Sequence, residues 1–300
     1  MRTITEPGPL RSVAPVPLPG GRRLDLRRPG VMGVVNVTPD SFSDGGRVAD
    51  PVAHARALAA EGAALIDIGG ESTRPGAAPV SADEEQARVV PVIEALVRGG
   101  LEVPISIDTR KPAVARAALA AGAAVVNDVS GLADPAMVEV VAAASAAVVI
   151  MHMQGTPETM QAAPSYVDVV AEVAAFLAER RERAVRAGVD PAAVLLDPGL
   201  GFGKTVEHNL SLLRHLERLA CLGPLVVGLS RKSTLGAALG GRPVEGRLHA
   251  GLGGAVWSAL HGASLVRTHD VLPTVDALRV VAAIADADLR SGPREGADAA

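Results

Sequence analysis

Polar side chains recur at the ends of short apolar runs along this chain: Asn36, Thr73, Arg74, Asp108, Asn127, His152, Asp197, Lys232, Arg267 and His269. Their types separate into two chemistries. Asp108, Asn127 and Asp197 offer carboxylate and amide acceptors, which suit a planar, nitrogen-rich heterocycle carrying several N–H donors. Each also has an ordinary alternative role, because Asp and Asn at strand ends often cap the next helix. Asp197, before Pro198, fits that role well; Asp108, before Thr109, fits it less well. Asn36, Arg267 and His269, with Arg74 and Lys232, make a cationic, donor-rich set of the kind that binds phosphate. The bland alternative is solvated surface charge, and an Arg-x-His pair closing an apolar run stands against it. Asn36 is a neutral oxygen ligand that could hold Mg2+ beside phosphate oxygens. There is no His-x-x-x-His spacing and only one cysteine, Cys221, which argues against a transition metal caged by the protein. Gly203-Lys204-Thr205 matches the end of a phosphate loop but lacks its upstream glycine spacing. Met151, Met153 and Phe202 flank the same region and could pack on a flat ring, although Met is more often core filler.

Positioning these groups requires a repeated scaffold. Strand-like apolar runs occur at 31–35, 64–68, 104–107, 124–126, 147–151, 194–196, 225–229 and 264–266. Helical patterns follow them at 51–62, 83–98, 112–121, 135–144, 166–187, 206–220, 245–261 and 271–288, with Asp50 and Ser81 as N-caps. The strands are apolar on both faces, as buried parallel strands are. Eight strand–helix units predict a closed (β/α)8 TIM barrel, in which all these strand ends converge on one face. A doubly wound sheet ranks second, because no GxGxxG follows the first strand. The expected organisation is one catalytic domain over 29–289, a flexible arm over 1–28 and a disordered tail over 290–300. A short strand near Leu24 and Leu26 is expected to cap the barrel floor.

Composition narrows the classes further. The net charge of −4 gives no general attraction to nucleic acid. The lone cysteine excludes an internal disulfide and suits a reducing compartment. No apolar run is long enough to cross a membrane, and the N-terminal stretch has no hydrophobic signal core. These features predict a soluble cytoplasmic protein.

Eight motifs carry a resemblance that covers most of the chain. In order they are NVTPDSFSDGG (36–46), IDIGGESTRPGA (66–77), SIDTRKP (106–112), NDVSG (127–131), MHMQGTP (151–157), LDPGLGFGK (196–204), SRKSTLG (230–236) and RTHDV (267–271). Together they closely resemble the dihydropteroate synthase family of pterin-binding barrels. The first two loops are highly specific to that family. The resemblance implies a transferase of folate biosynthesis and target of sulfonamides, acting with Mg2+ as a homodimer. It would join 6-hydroxymethyl-7,8-dihydropterin diphosphate to 4-aminobenzoate and release diphosphate.

Carried over motif by motif, Asp108, Asn127, Asp197 and Lys232 would hold the pterin, with Arg267 along its ring and Met151 and Phe202 beside it. Asn36, Arg267 and His269 would hold the diphosphate, with Asn36 on the metal. Phe42, Thr73, Arg74, Pro75 and Ser233 would form the 4-aminobenzoate site, and Asp44 and Arg74 would help close the loops. Catalysis would fall to Asp108, Lys232, Arg267, Phe42, Asp44 and Arg74. Thr268 and Leu200 depart from the commonest family residues, Val and Phe, without removing a polar group. Two other classes compete. A methyltetrahydrofolate methyltransferase shares the barrel and pterin wall but needs no diphosphate corner. A silent pterin-binding paralogue would be expected to lose loop or phosphate residues, and all are present here.

Overall fold

The computed structural model describes residues 10–38, 50–72 and 78–287. The chain begins with a small antiparallel hairpin, β1 (Val16–Pro17) and β2 (Arg23–Leu24). Eight parallel strands follow: β3 (Gly30–Asn36), β4 (Leu65–Gly69), β5 (Ile105–Asp108), β6 (Val125–Asp128), β7 (Ala147–Met151), β8 (Val194–Asp197), β9 (Leu225–Gly228) and β10 (Ala263–Thr268). They close into a barrel in the order β10-β3-β4-β5-β6-β7-β8-β9. The outer helices are α1 (Pro51–Ala60), α2 (Ala82–Arg98), α3 (Pro112–Ala120), α4 (Pro135–Ala143), α5 (Val169–Arg186), α6 (Val206–Arg214), α7 (Leu216–Ala220), α8 (Ser233–Ala238), α9 (Leu248–Leu260) and α10 (Val271–Ala285). The expected TIM barrel is the observed fold. Among the described residues, no helix is long and apolar enough to cross a membrane.

Two cores explain why the strands are apolar throughout. Met32, Leu65, Val125, Val149, Leu195, Val226 and Leu265 form one buried cluster. Their neighbours along the chain, Val31, Ile66, Val126, Val148, Leu196, Val227 and Val266, belong to a second cluster shared with the helices. Alternate strand residues point to opposite faces, so the first set fills the barrel and the second packs against the helix layer. The hairpin closes the floor: Val16, Leu18, Leu24 and Leu26 are buried in the interior cluster. Thus 10–28 of the arm expected to be flexible contains a plug that buries four apolar side chains. Residues 1–9 and the expected tail at 290–300 lie outside the described residues.

Local rules account for most helix starts. Asp50 accepts from Val52 N at the start of α1, and Ser81 accepts from Glu84 N at the start of α2. α5 starts at Val169 rather than 166, because Asp168 caps it by accepting from Val170 N and Ala171 N. Two further expectations are corrected, and one helix is new. The helix expected over 206–220 breaks at His215, whose φ of −115° and ψ of 25° leave helical geometry. The helix expected from 245 begins instead at Leu248, after a 3-10 turn over Val244–Gly246. The short helix α8 was not foreseen; its six residues are too few to carry a helical period.

Candidate active site

Each polar site residue on a strand sits two positions beyond an interior apolar or small residue, hence on the same face and nearer the mouth. Leu65 leads to Asp67, Ser106 to Asp108, Val125 to Asn127, Leu195 to Asp197 and Leu265 to Arg267. The barrel brings them together. Arg267 donates from Nε to Asp67 Oδ2 at 2.7 Å and from Nη2 to Asp108 Oδ2 at 2.7 Å. Asn127 donates from Nδ2 to the same Asp67 oxygen at 3.0 Å. With its NH2 group so engaged, Asn127 presents its carbonyl oxygen as its acceptor. Asp67 was not singled out from the sequence. The signal was there: one charge inside an otherwise apolar strand, LIDIG, and a buried carboxylate must be paired.

Electrostatics here follow from burial and pairing. Burial pushes the Asp108 carboxyl up to about 7; Arg267 opposes this and Asp67 adds to it. Burial alone would lower the Arg267 guanidinium, but Asp67 and Asp108 overcome it and hold Arg267 above its ordinary value. Asp197 is also raised by burial, against the pull of Lys232. Burial lowers Lys232 to about 8, with Asp197 working the other way. The pocket therefore holds groups that change charge near neutrality, as functional sites often do.

The loop after β8 builds one wall. Asp197 Oδ1 accepts from Gly199 N at 2.7 Å, which engages one oxygen in the loop turn, whereas the helix cap expected as its alternative role falls to Thr205 at the start of α6. Lys232 donates to Leu200 O at 2.5 Å, and its Nζ lies 4.9 Å from the Phe202 ring centroid. Beneath this wall is buried Lys204. Its Nζ lies within 3.3 Å of three carbonyl oxygens, of His152, Gly199 and Phe202, and 2.9 Å from His152 Nδ1. Burial and the Lys204 charge hold His152 down to about 3, so its neutral ring accepts from the ammonium. His152, grouped with the site residues by sequence, thus ties the β7 and β8 loops together. Met151 is buried at the end of β7, paired in register with Asp197.

The phosphate set lies on neighbouring strands. β10 pairs with β3, and Asn36 is exposed at the end of β3. No side-chain hydrogen bond joins Asn36 to another described residue, so its amide oxygen is available. Half-buried His269 places its backbone N 3.3 Å and its Nδ1 3.2 Å from Ser230 Oγ. Ser233 is exposed at the first position of α8. Among the described residues, no three His, Cys, Asp or Glu side chains group to hold a metal ion. One exposed amide oxygen still fits Mg2+, which takes few protein ligands and completes its shell with phosphate and water oxygens.

Phe42, Asp44, Thr73, Arg74 and Pro75 lie outside the described residues. The base of the second loop is described. Glu71 Oε1 accepts from Val80 N at 3.0 Å, joining the two ends of that loop. Its Oε2 lies 3.1 Å from Lys111 Nζ and 3.4 Å from Arg110 Nε. Burial would raise Glu71, but the Val80 N–H and Lys111 leave it lowered.

A closed parallel barrel whose strand ends gather paired carboxylates and cations on one face has the arrangement of a barrel enzyme's active site. The family described as pterin binding enzyme matches residues 32–269. The dihydropteroate synthase of Escherichia coli K12 is 50% identical over 267 residues, covering 88% of this chain and 94% of that protein. Xanthomonas albilineans dihydropteroate synthase with 4-aminobenzoic acid superposes with a TM-score of 0.83 at 49% identity, covering 93% of this chain and all of that one. The Burkholderia cenocepacia enzyme complexed with 7,8-dihydropteroate gives a TM-score of 0.83 at 46% identity, covering 92% and 98%. The chain belongs to the pterin-binding enzyme family and, within it, to the dihydropteroate synthases.

Proposed function

We propose that this enzyme condenses 6-hydroxymethyl-7,8-dihydropterin diphosphate with 4-aminobenzoate to give 7,8-dihydropteroate and diphosphate. The observation that carries the reading is Arg267 bridging Asp67 and Asp108 at the mouth, beside Asn127, Asp197 and Lys232. Asp108, Asn127 and Asp197 accept from the pterin N–H groups, and Lys232 donates to its ring acceptors. Arg267 lies along the ring and, with His269, offsets the diphosphate charge. Asn36 would hold Mg2+, which when bound supplies further charge neutralisation to the leaving diphosphate. The bond between the methylene carbon and the diphosphate oxygen breaks, and its electron pair leaves with diphosphate. The cation left on the methylene is conjugated with the pterin, and ionised Asp108 stabilises it. The amine of 4-aminobenzoate then attacks, and a proton is lost from its nitrogen. Thr73, Arg74, Pro75, Phe42 and Ser233 form the aminobenzoate pocket, with Asp44 and Arg74 helping to exclude water.

We further propose a cytoplasmic homodimer. Supporting this are the exposed free Cys221 and the exposed apolar Leu248, Trp257, Leu272, Val280 and Ile284 on the contacting helices α9 and α10. The test is turnover: purified protein, both substrates and Mg2+, with dihydropteroate and diphosphate measured in equal amounts. Pterin binding without turnover would instead identify a silent paralogue. Sedimentation of the same sample reads the oligomeric state.

A further inference from the structure

Asp67 is fully buried in the middle of β4. Its Oδ2 accepts from Arg267 on β10 and from Asn127 on β6, each two strands away from β4, in opposite directions around the barrel. Its Oδ1 has no partner among the described residues, and neither has Oγ of Ser106, its register neighbour on β5. A buried carboxylate with one oxygen unpaired is a poor stabilising device. An apolar side chain of similar volume would fill the barrel at lower cost. The residue is better explained by what it does to Arg267.

The roles proposed for Arg267 and Asp108 conflict in the ligand-free geometry. Asp108 must accept from the pterin, yet one of its oxygens already accepts from Arg267 Nη2. Arg267 must reach the diphosphate, yet a guanidinium that is three-quarters buried is costly to leave without a counter-ion. A second carboxylate on Nε resolves both requirements. We propose that Asp67 is a positioning residue, the standing counter-ion that anchors Arg267 at Nε while its Nη2 end leaves Asp108 for the arriving pterin diphosphate. Asn127, held by the same oxygen, is oriented with it. This inference rests on the substrate assignment made above.

The variant Asp67→Asn keeps the shape and removes the charge, so Arg267 then has only Asp108 and holds it more tightly. With the wild-type enzyme as reference, its KM for pterin diphosphate is expected to rise about tenfold or more, with the KM for 4-aminobenzoate changed less than about twofold. The cycle with Arg267→Lys tests the route. Lysine has no Nε–H to give Asp67, so Asp67→Asn should cost little further in that background. Additive effects in the cycle would overturn the proposal. So would a lowered melting temperature with unchanged kinetic constants, which would mark Asp67 as purely structural. If Asp67→Asn does not fold, Asp67→Glu, which keeps the charge but displaces it, should give the same KM split, and wild-type constants there would overturn the idea. A wild-type enzyme that forms no dihydropteroate removes the substrate assignment itself. An active wild type with an unaffected Asp67→Asn removes only this inference.

Discussion

Asp108, proposed above to accept from the pterin, would couple substrate binding to pH. Its carboxyl is raised to about 7 in the folded protein, mainly by burial, against 3.8 when exposed. Between those values the folded state holds the extra proton, so stability falls as pH rises through that window. Asp108→Asn removes the titration, and denaturant midpoints measured across that range should lose this component of their slope. The same variant should bind an uncharged pterin analogue about 10- to 100-fold more weakly at neutral pH, the equivalent of one charge-assisted hydrogen bond. In the wild type, that affinity should decline as pH drops below about 7, because a protonated carboxyl no longer accepts as well. Calorimetry at several pH values checks both, and unchanged affinity in the variant would take Asp108 out of the pterin wall.

At the scale of an element, the loop after β8 depends on close approach to the loop after β7. Gly199 has φ +64°, and a Cβ there would lie 1.8 Å from the His152 carbonyl oxygen. Gly203 has φ +62°, and its Cβ would lie 2.4 Å from Gln154 O. Backbone contacts of this kind cannot be relieved by turning a side chain. Gly199→Ala is therefore expected to lose about 2–4 kcal/mol of stability. It should also weaken pterin-analogue binding, since this loop carries Phe202 and the Leu200 carbonyl that holds Lys232. Gly240→Ala is the control. Its φ is +70° but nothing lies within 4 Å of the added Cβ, so only the backbone cost of about 1 kcal/mol applies. Equal losses from the two variants, read by chemical denaturation, would refute the contact argument.

Across the whole molecule, the two substrates are expected to meet differently built sites. The pterin wall stands on strand ends held by ion pairs that span the barrel and should be preformed. The aminobenzoate site proposed above draws instead on Phe42, Thr73, Arg74 and Pro75, which the sequence places in the connections after β3 and β4 rather than on strands, so we propose that it is assembled only when diphosphate binds. A sulfonamide or 4-aminobenzoate should therefore bind weakly to the free enzyme and more tightly once Mg2+ and diphosphate are bound. Linkage requires the converse, so the aminobenzoate analogue should increase the affinity for diphosphate by the same factor. Titration of a sulfonamide with and without Mg2+ and diphosphate measures this directly. Equal affinity in both conditions would rule out an ordered assembly of the site.

The sequence alone determined the barrel and most of its polar mouth. Eight apolar runs, each ending in a polar group and followed by a helical pattern, pointed to parallel strands, and the barrel they imply put the ends carrying Asp108, Asn127, Asp197 and Arg267 on one face. The runs and their polar ends are local properties of the chain. Tertiary structure decided who meets whom. Asp67 and Arg267 are 200 positions apart and become partners only because β10 closes against β3 and so lies one strand from β4. Lys204 and His152 meet because glycines let two loops touch, and the floor plug forms because a hairpin finds the open end of the barrel. Periodicity in a sequence states which way a side chain faces, whereas the identity of the group it faces is set by closure of the sheet.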